Sequence, residues 1–102
     1  MKNKIVLVLM QLKGISRKTI LRSFNLEVNK EYTLQSIKEE LIKAAINDSR
    51  IKNYSEDDIE EALFKANNII EMSLERDIHI ITYLDDTYPE RLKNITDPPV
   101  VL

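Results

Sequence analysis

The 102-residue chain contains no cysteine and no tryptophan, and it has one histidine and one glycine. The absence of cysteine excludes disulfide scaffolds, cysteine-based zinc sites and cysteine nucleophiles. The sequence also shows no glycine-rich phosphate loop ending in lysine, and no grouping of serine, histidine and acid. We therefore expect no enzyme activity, no cofactor and no metal site in this chain.

Long apolar runs are also absent. The longest, Ile5 to Met10, has six residues, whereas crossing a bilayer takes roughly 20. The lysines before this run faintly resemble the start of a signal peptide, but no small-residue cleavage site follows. With 43% hydrophobic and 31% charged residues, the composition is typical of a globular protein. We expect a cytoplasmic protein.

The charge is distributed unevenly along the chain. Residues 1–30 contain seven basic residues and one acidic residue, whereas residues 31–102 contain eight basic and sixteen acidic residues. The net charges are therefore +6 and −8. A basic end on an acidic protein attracts polyanions locally, although the same lysines could simply solvate an apolar helical hairpin.

Few helix-breaking residues precede the late prolines Pro89, Pro98 and Pro99, so the sequence predicts a mainly helical domain. The run Ile5–Leu12 suits a helix, or a buried strand on composition alone. Apolar spacing of three and four predicts another helix from Thr33 to about Asn47. Ser55, with Asp58 three positions on, predicts a capping box that opens a helix ending near Arg76.

The pattern changes after residue 77. Ile78–Tyr83 is rich in β-branched and aromatic residues, which favours a strand with His79 partly buried in it. Pro89 can start a short helix, and Val100 to Leu102 looks like the beginning of a second strand. We therefore expect a helical domain over residues 1–76, followed by a strand, helix and strand segment over residues 77–102.

The stretch around the only glycine resembles a helix-hairpin-helix turn. Gly14 would allow a tight turn and leave amides at the start of the next helix facing outward, where one phosphate fits. Nearby cations would add contacts to the phosphate backbone of a nucleic acid, and such contacts do not depend on base sequence. Ser16 departs from the motif, which usually has a second glycine there. The predicted phosphate-binding residues are Gly14, Ile15, Ser16, Arg17, Lys18 and Arg22.

The C-terminal stretch has Tyr88-Pro89, Leu92 and Asp97-Pro98-Pro99 between two apolar segments. It resembles the opening of the nucleotide-fold domain in the DprA/Smf family of DNA-processing proteins. That pattern has an apolar strand, Tyr-Pro, spaced apolar residues, Asp-Pro-Pro and a second apolar strand. The matching residues here, whose expected role is structural, are Tyr88, Pro89, Leu92, Asp97, Pro98 and Pro99. The family also carries a small SAM-like or helix-hairpin-helix-like domain before this stretch, which agrees with four predicted helices.

The resemblance implies a role in handling single-stranded DNA for recombination and transformation, in which the full-length protein acts with a RecA-type recombinase. The Rossmann-like body that carries the family's main DNA-binding surface is not in this sequence. We therefore expect an accessory domain with weak, sequence-independent DNA binding. The alternative is a protein-interaction module without DNA binding, which forms a homodimer through exposed strand edges at Ile78–Tyr83 and Val100 to Leu102.

Overall fold

The computed structural model describes residues 3–49, 51, 54–89, 92 and 100–101. Within these residues the chain forms four helices: α1 (Lys4–Gln11), α2 (Arg17–Ser23), α3 (Leu34–Asn47) and α4 (Glu56–Glu75). The mainly helical class is confirmed, and each helix lies where the sequence predicts one. The first apolar run is a helix rather than a buried strand.

Helix α1 is the centre of the packing. Its residues Ile5 to Leu9 are all buried, so it needs cover on every side. It packs against α4 and α2, and α3 packs against α4. Buried residues from the other helices complete the core, among them Ile20, Ile37, Leu41, Ile59 and Ala66. Helix α1 therefore lies between α2 and the long acidic helix α4.

Hydroxyl side chains start the three later helices. Ser16 caps α2, Thr33 caps α3 and Ser55 caps α4, each by accepting a hydrogen bond from a backbone N–H three residues ahead. The predicted capping box of Ser55 and Asp58 is confirmed, with N···O distances of 3.2 and 3.0 Å. These caps satisfy amides that have no partner inside a helix.

The predicted strand over Ile78–Tyr83 is wrong. These residues form only one bridge, antiparallel, between Thr82 and Val101, and one backbone hydrogen bond, from Tyr83 N–H to the Val100 carbonyl at 2.9 Å. His79, expected to be partly buried in that strand, is exposed. The sequence pattern favoured a strand because β-branched residues suit one, but propensity does not supply a partner strand.

Local hydrogen bonds replace the expected strand pairing at both ends of this segment. The Ile78 N–H bonds to the Ser73 carbonyl at 2.8 Å and closes the end of α4. At the other end, Asp85 accepts from both the backbone N–H and the hydroxyl of Thr82, at 2.7 and 3.0 Å. Side-chain-to-backbone bonds of this kind compete with sheet ladders, so the chain turns at residues 82–85.

Residues that follow α4 pack onto the same core as the helices. Val100 and Tyr88 are almost completely buried, at 1% and 2% exposure, and Ile80 and Tyr83 pack partly against the core. The short helix predicted after Pro89 lies mostly outside the described residues. The division into parts 1–76 and 77–102 stays a prediction. No helix among the described residues is long and apolar enough to span a membrane.

Candidate nucleic-acid interface

The turn between α1 and α2 has the backbone geometry that the glycine predicts. Gly14 has a φ of +92°, a region that residues with a Cβ rarely adopt. The Ile15 N–H bonds back to the Leu12 carbonyl at 3.3 Å, and the Ile15 side chain is buried. Because its N–H is already bonded and its side chain is buried, Ile15 is a poor candidate among the predicted phosphate-binding residues.

At position 16, where the motif usually has glycine, the Ser16 hydroxyl forms hydrogen bonds with Thr19. Its Oγ accepts the Thr19 N–H at 3.3 Å and lies 3.1 Å from Thr19 Oγ1. A helix N-terminus binds anions through amides that have no partner in the helix. Because Ser16 already occupies one of these amides, phosphate binding here depends more on the neighbouring cations than on the backbone.

Helix α2 exposes those cations on one face. Arg17, Lys18 and Arg22 are all exposed, whereas Thr19 and Ile20 on the opposite side are buried. Lys18 and Arg22 are one helical turn apart and so project from the same side. We call this surface, formed by Arg17, Lys18, Leu21 and Arg22, the α2 face. The structure brings the predicted basic residues together in solvent.

Tyr54 holds the glycine turn in place, which the sequence did not predict. Its hydroxyl donates to the Lys13 carbonyl and lies 3.6 Å from the position that a Cβ on Gly14 would take. Burial, with a smaller contribution from nearby Asp58, raises the pKa of Tyr54. The phenol therefore keeps its proton at neutral pH and remains a donor to the turn.

The side of the turn that faces α4 is not purely basic. A surface cavity of about 270 Å³ is lined there by Lys13 and Lys65, together with Asp58 and Glu61. At the far end of α2, the Ser23 hydroxyl donates to Asp48 Oδ2 at 3.0 Å, and buried Asp48 lines a recess with Arg22. Carboxylates therefore flank the α2 face on both of these sides.

Three of the C-terminal motif residues, Tyr88, Pro89 and Leu92, lie among the described residues. Tyr88 is buried, and burial raises the pKa of its hydroxyl. Pro89 is exposed, and its carbonyl accepts the N–H of half-buried Leu92 at 3.1 Å. Asp97, Pro98 and Pro99 lie outside the described residues.

The described part of the chain holds no group of three acidic, histidine or cysteine side chains that could bind a metal ion. Together, the fold and the site define a small helical domain with an exposed basic face beside a glycine turn. No family model, no curated protein and no solved structure matches the sequence.

Proposed function

We propose that this chain is an N-terminal accessory domain of a DprA/Smf-type DNA-processing protein, and that its α2 face makes weak contacts with the backbone of single-stranded DNA. The observation that carries the DNA-binding part is the exposure of Arg17, Lys18 and Arg22 on one face beside the Gly14 turn. The motif from Tyr88 to Pro99 supports the family.

The chemistry of the α2 face accounts for weak and sequence-independent binding. Arginine and lysine neutralise phosphates, which contributes affinity without reading bases. Helix α2, which the structure describes in full, carries no aromatic residue on which a base could stack. Three cations can neutralise about three phosphates of a single strand, a small number for a DNA-binding protein.

The same proposal includes the domain division of the chain, its cellular location and its partner. Residues 1–76 form its SAM-like or helix-hairpin-helix-like part, and residues 77–102 open a Rossmann-like domain. The protein acts in the cytoplasm, and the full-length protein works with a RecA-type recombinase on single-stranded DNA. We infer these features from the resemblance of the C-terminal motif, supported by the four helices that precede it.

The test is fluorescence anisotropy with a labelled oligothymidine at several NaCl concentrations. We expect the logarithm of the binding constant to fall with the logarithm of salt with a slope of about −2, since each phosphate on a single strand contributes roughly −0.7. The triple substitution Arg17→Glu, Lys18→Glu and Arg22→Glu should abolish binding.

A matched control separates local contacts from overall charge. Lys43, Lys65 and Arg76 are also exposed and lie on or next to other helices. Their triple replacement by glutamate gives the same net charge but leaves the α2 face intact. Binding that survives the α2 substitutions, or that both triple variants lose equally, would contradict the α2 face as the DNA contact.

The second candidate is a protein-interaction domain without DNA binding. The exposed apolar side chains Ile46, Leu74 and Ile78, at 79%, 73% and 54% exposure, favour it. Because Ile78–Tyr83 does not form a strand, this candidate now depends on apolar side chains rather than on strand edges. A monomer by light scattering at millimolar concentration would argue against self-association, and a pull-down would then be needed to find a partner.

A further inference from the structure

The outward side of α4 carries an exposed phenylalanine among several carboxylates, and two further exposed apolar residues, Met72 and Leu74, follow it along the helix. Phe64 is 66% exposed. Glu60, Glu61 and Glu71 lie four, three and seven positions away, on the same side of the helix. We call the surface formed by Phe64, Glu60, Glu61 and Glu71 the α4 face. Over its whole length α4 has seven acidic residues and one basic residue.

Among the described residues, two of these acids form ion pairs, Glu56 with Lys38 of α3 and Glu61 with Lys65 of α4, each at 3.3 Å. Both pairs are exposed and therefore weak. Helix α2 packs mainly on α1 rather than on α4. A partner for the α4 face must therefore combine an apolar contact for Phe64 with several cations.

The α2 face has this combination with the charges reversed. Leu21 is 36% exposed and lies among Arg17, Lys18 and Arg22, all exposed. Each face thus presents one apolar side chain within a set of charges of one sign. Burying Phe64 against Leu21 removes apolar surface from water, and the surrounding charges of opposite sign set the orientation of the two faces.

We propose that the α4 face of one copy of this chain docks on the α2 face of a second copy. The two surfaces are different, so the contact is heterologous, and each added copy leaves one face of each kind open. The protein therefore forms concentration-dependent head-to-tail chains rather than a closed dimer. If the α2 face also binds DNA, as proposed above, DNA competes with this contact and shortens the chains.

The test is sedimentation equilibrium with two charge-reversed variants. Lys18→Glu with Arg22→Glu makes the α2 face acidic, and Glu60→Lys with Glu71→Lys makes the α4 face basic. We expect the average mass of the unmodified chain at 20 mM salt to rise steadily with concentration and to fall towards the monomer at 0.5 M. Each variant alone should be monomeric, and an equimolar mixture should associate again.

Two controls make the result specific. Glu27→Lys with Glu39→Lys gives the same net charge as the α4 variant, changes exposed acids that belong to other parts of the chain, and should associate like the unmodified chain. Phe64→Ser should weaken association tenfold or more without a charge change. A monomeric unmodified chain, an α4 variant that associates normally, or a mixture that stays monomeric while circular dichroism shows folded protein would overturn the proposal.

The same variants separate this proposal from DNA binding. The α4 variant keeps the α2 face, so it should bind oligothymidine at least as tightly as the unmodified chain while failing to self-associate. Loss of DNA binding with normal self-association contradicts only the proposed DNA function. Absence of self-association with normal DNA binding contradicts only the head-to-tail contact.

Discussion

The side-chain amide of Asn3 donates a hydrogen bond to Asp85 Oδ1 at 2.8 Å, joining residues 82 positions apart in the chain. The same amide group donates to Asn29 Oδ1 at 3.2 Å and accepts the Asn29 N–H at 2.6 Å. Asp85 in turn holds the Thr82 turn. One buried asparagine therefore connects the start of α1, the loop before α3 and the segment after α4.

Replacing Asn3 with alanine should destabilise the protein by about 1–3 kcal/mol, because buried partners lose their hydrogen bonds. Asn3 is 2% exposed and has a φ of 60°, so alanine adds backbone strain that glycine avoids. We expect Asn3→Gly to lose less stability than Asn3→Ala in urea unfolding. Equal losses would show that backbone strain contributes nothing, and unchanged midpoints would show that the network does not stabilise the fold.

The helices were predictable because their signals are local. Apolar spacing and the cap at Ser55 each depend on residues within one or two turns. The Asn3 network and the contact of Tyr54 with Lys13 join distant parts of the chain, and no local pattern marks them. Ile78–Tyr83 shows the converse: its composition favours a strand, but a strand also needs a long-range partner.

Gly14 provides a test of the glycine turn. A Cβ there would meet only the Tyr54 hydroxyl, at an ordinary contact distance of 3.6 Å. The loss of stability in Gly14→Ala therefore comes from backbone strain. For a residue with a Cβ at positive φ, this strain is about 1–2 kcal/mol. Gly14→Asn should cost less, since asparagine tolerates this region better. Urea unfolding of both variants checks the order, and an alanine variant as stable as the original would contradict the positive φ.

The raised pKa of Tyr83 predicts that the protein loses stability at alkaline pH. Burial, with a smaller contribution from Tyr32, raises its pKa to about 12. The unfolded phenol loses its proton near pH 10, so this stabilisation is complete below pH 10 and is lost as pH rises to 12. Tyr83→Phe should flatten the fall in unfolding free energy over that range. The same fall in the phenylalanine variant would assign it to another group.

Ser16→Gly tests whether the departure from the hairpin motif weakens DNA binding. Glycine restores the residue usual in the motif and releases the Thr19 N–H that Ser16 Oγ now accepts, so an additional amide can donate to a phosphate. The helix cap is lost, but glycine in place of serine costs only a few tenths of a kcal/mol.

We expect the glycine variant to bind oligothymidine several-fold more tightly than the unmodified chain. Ser16→Ala removes the same cap but keeps a Cβ near the turn, so it should gain less. Because a backbone amide carries no net charge, the salt slope should be nearly unchanged while the affinity rises. If neither variant binds more tightly than the unmodified chain, the turn does not contact phosphate, and the cations of the α2 face account for the binding alone.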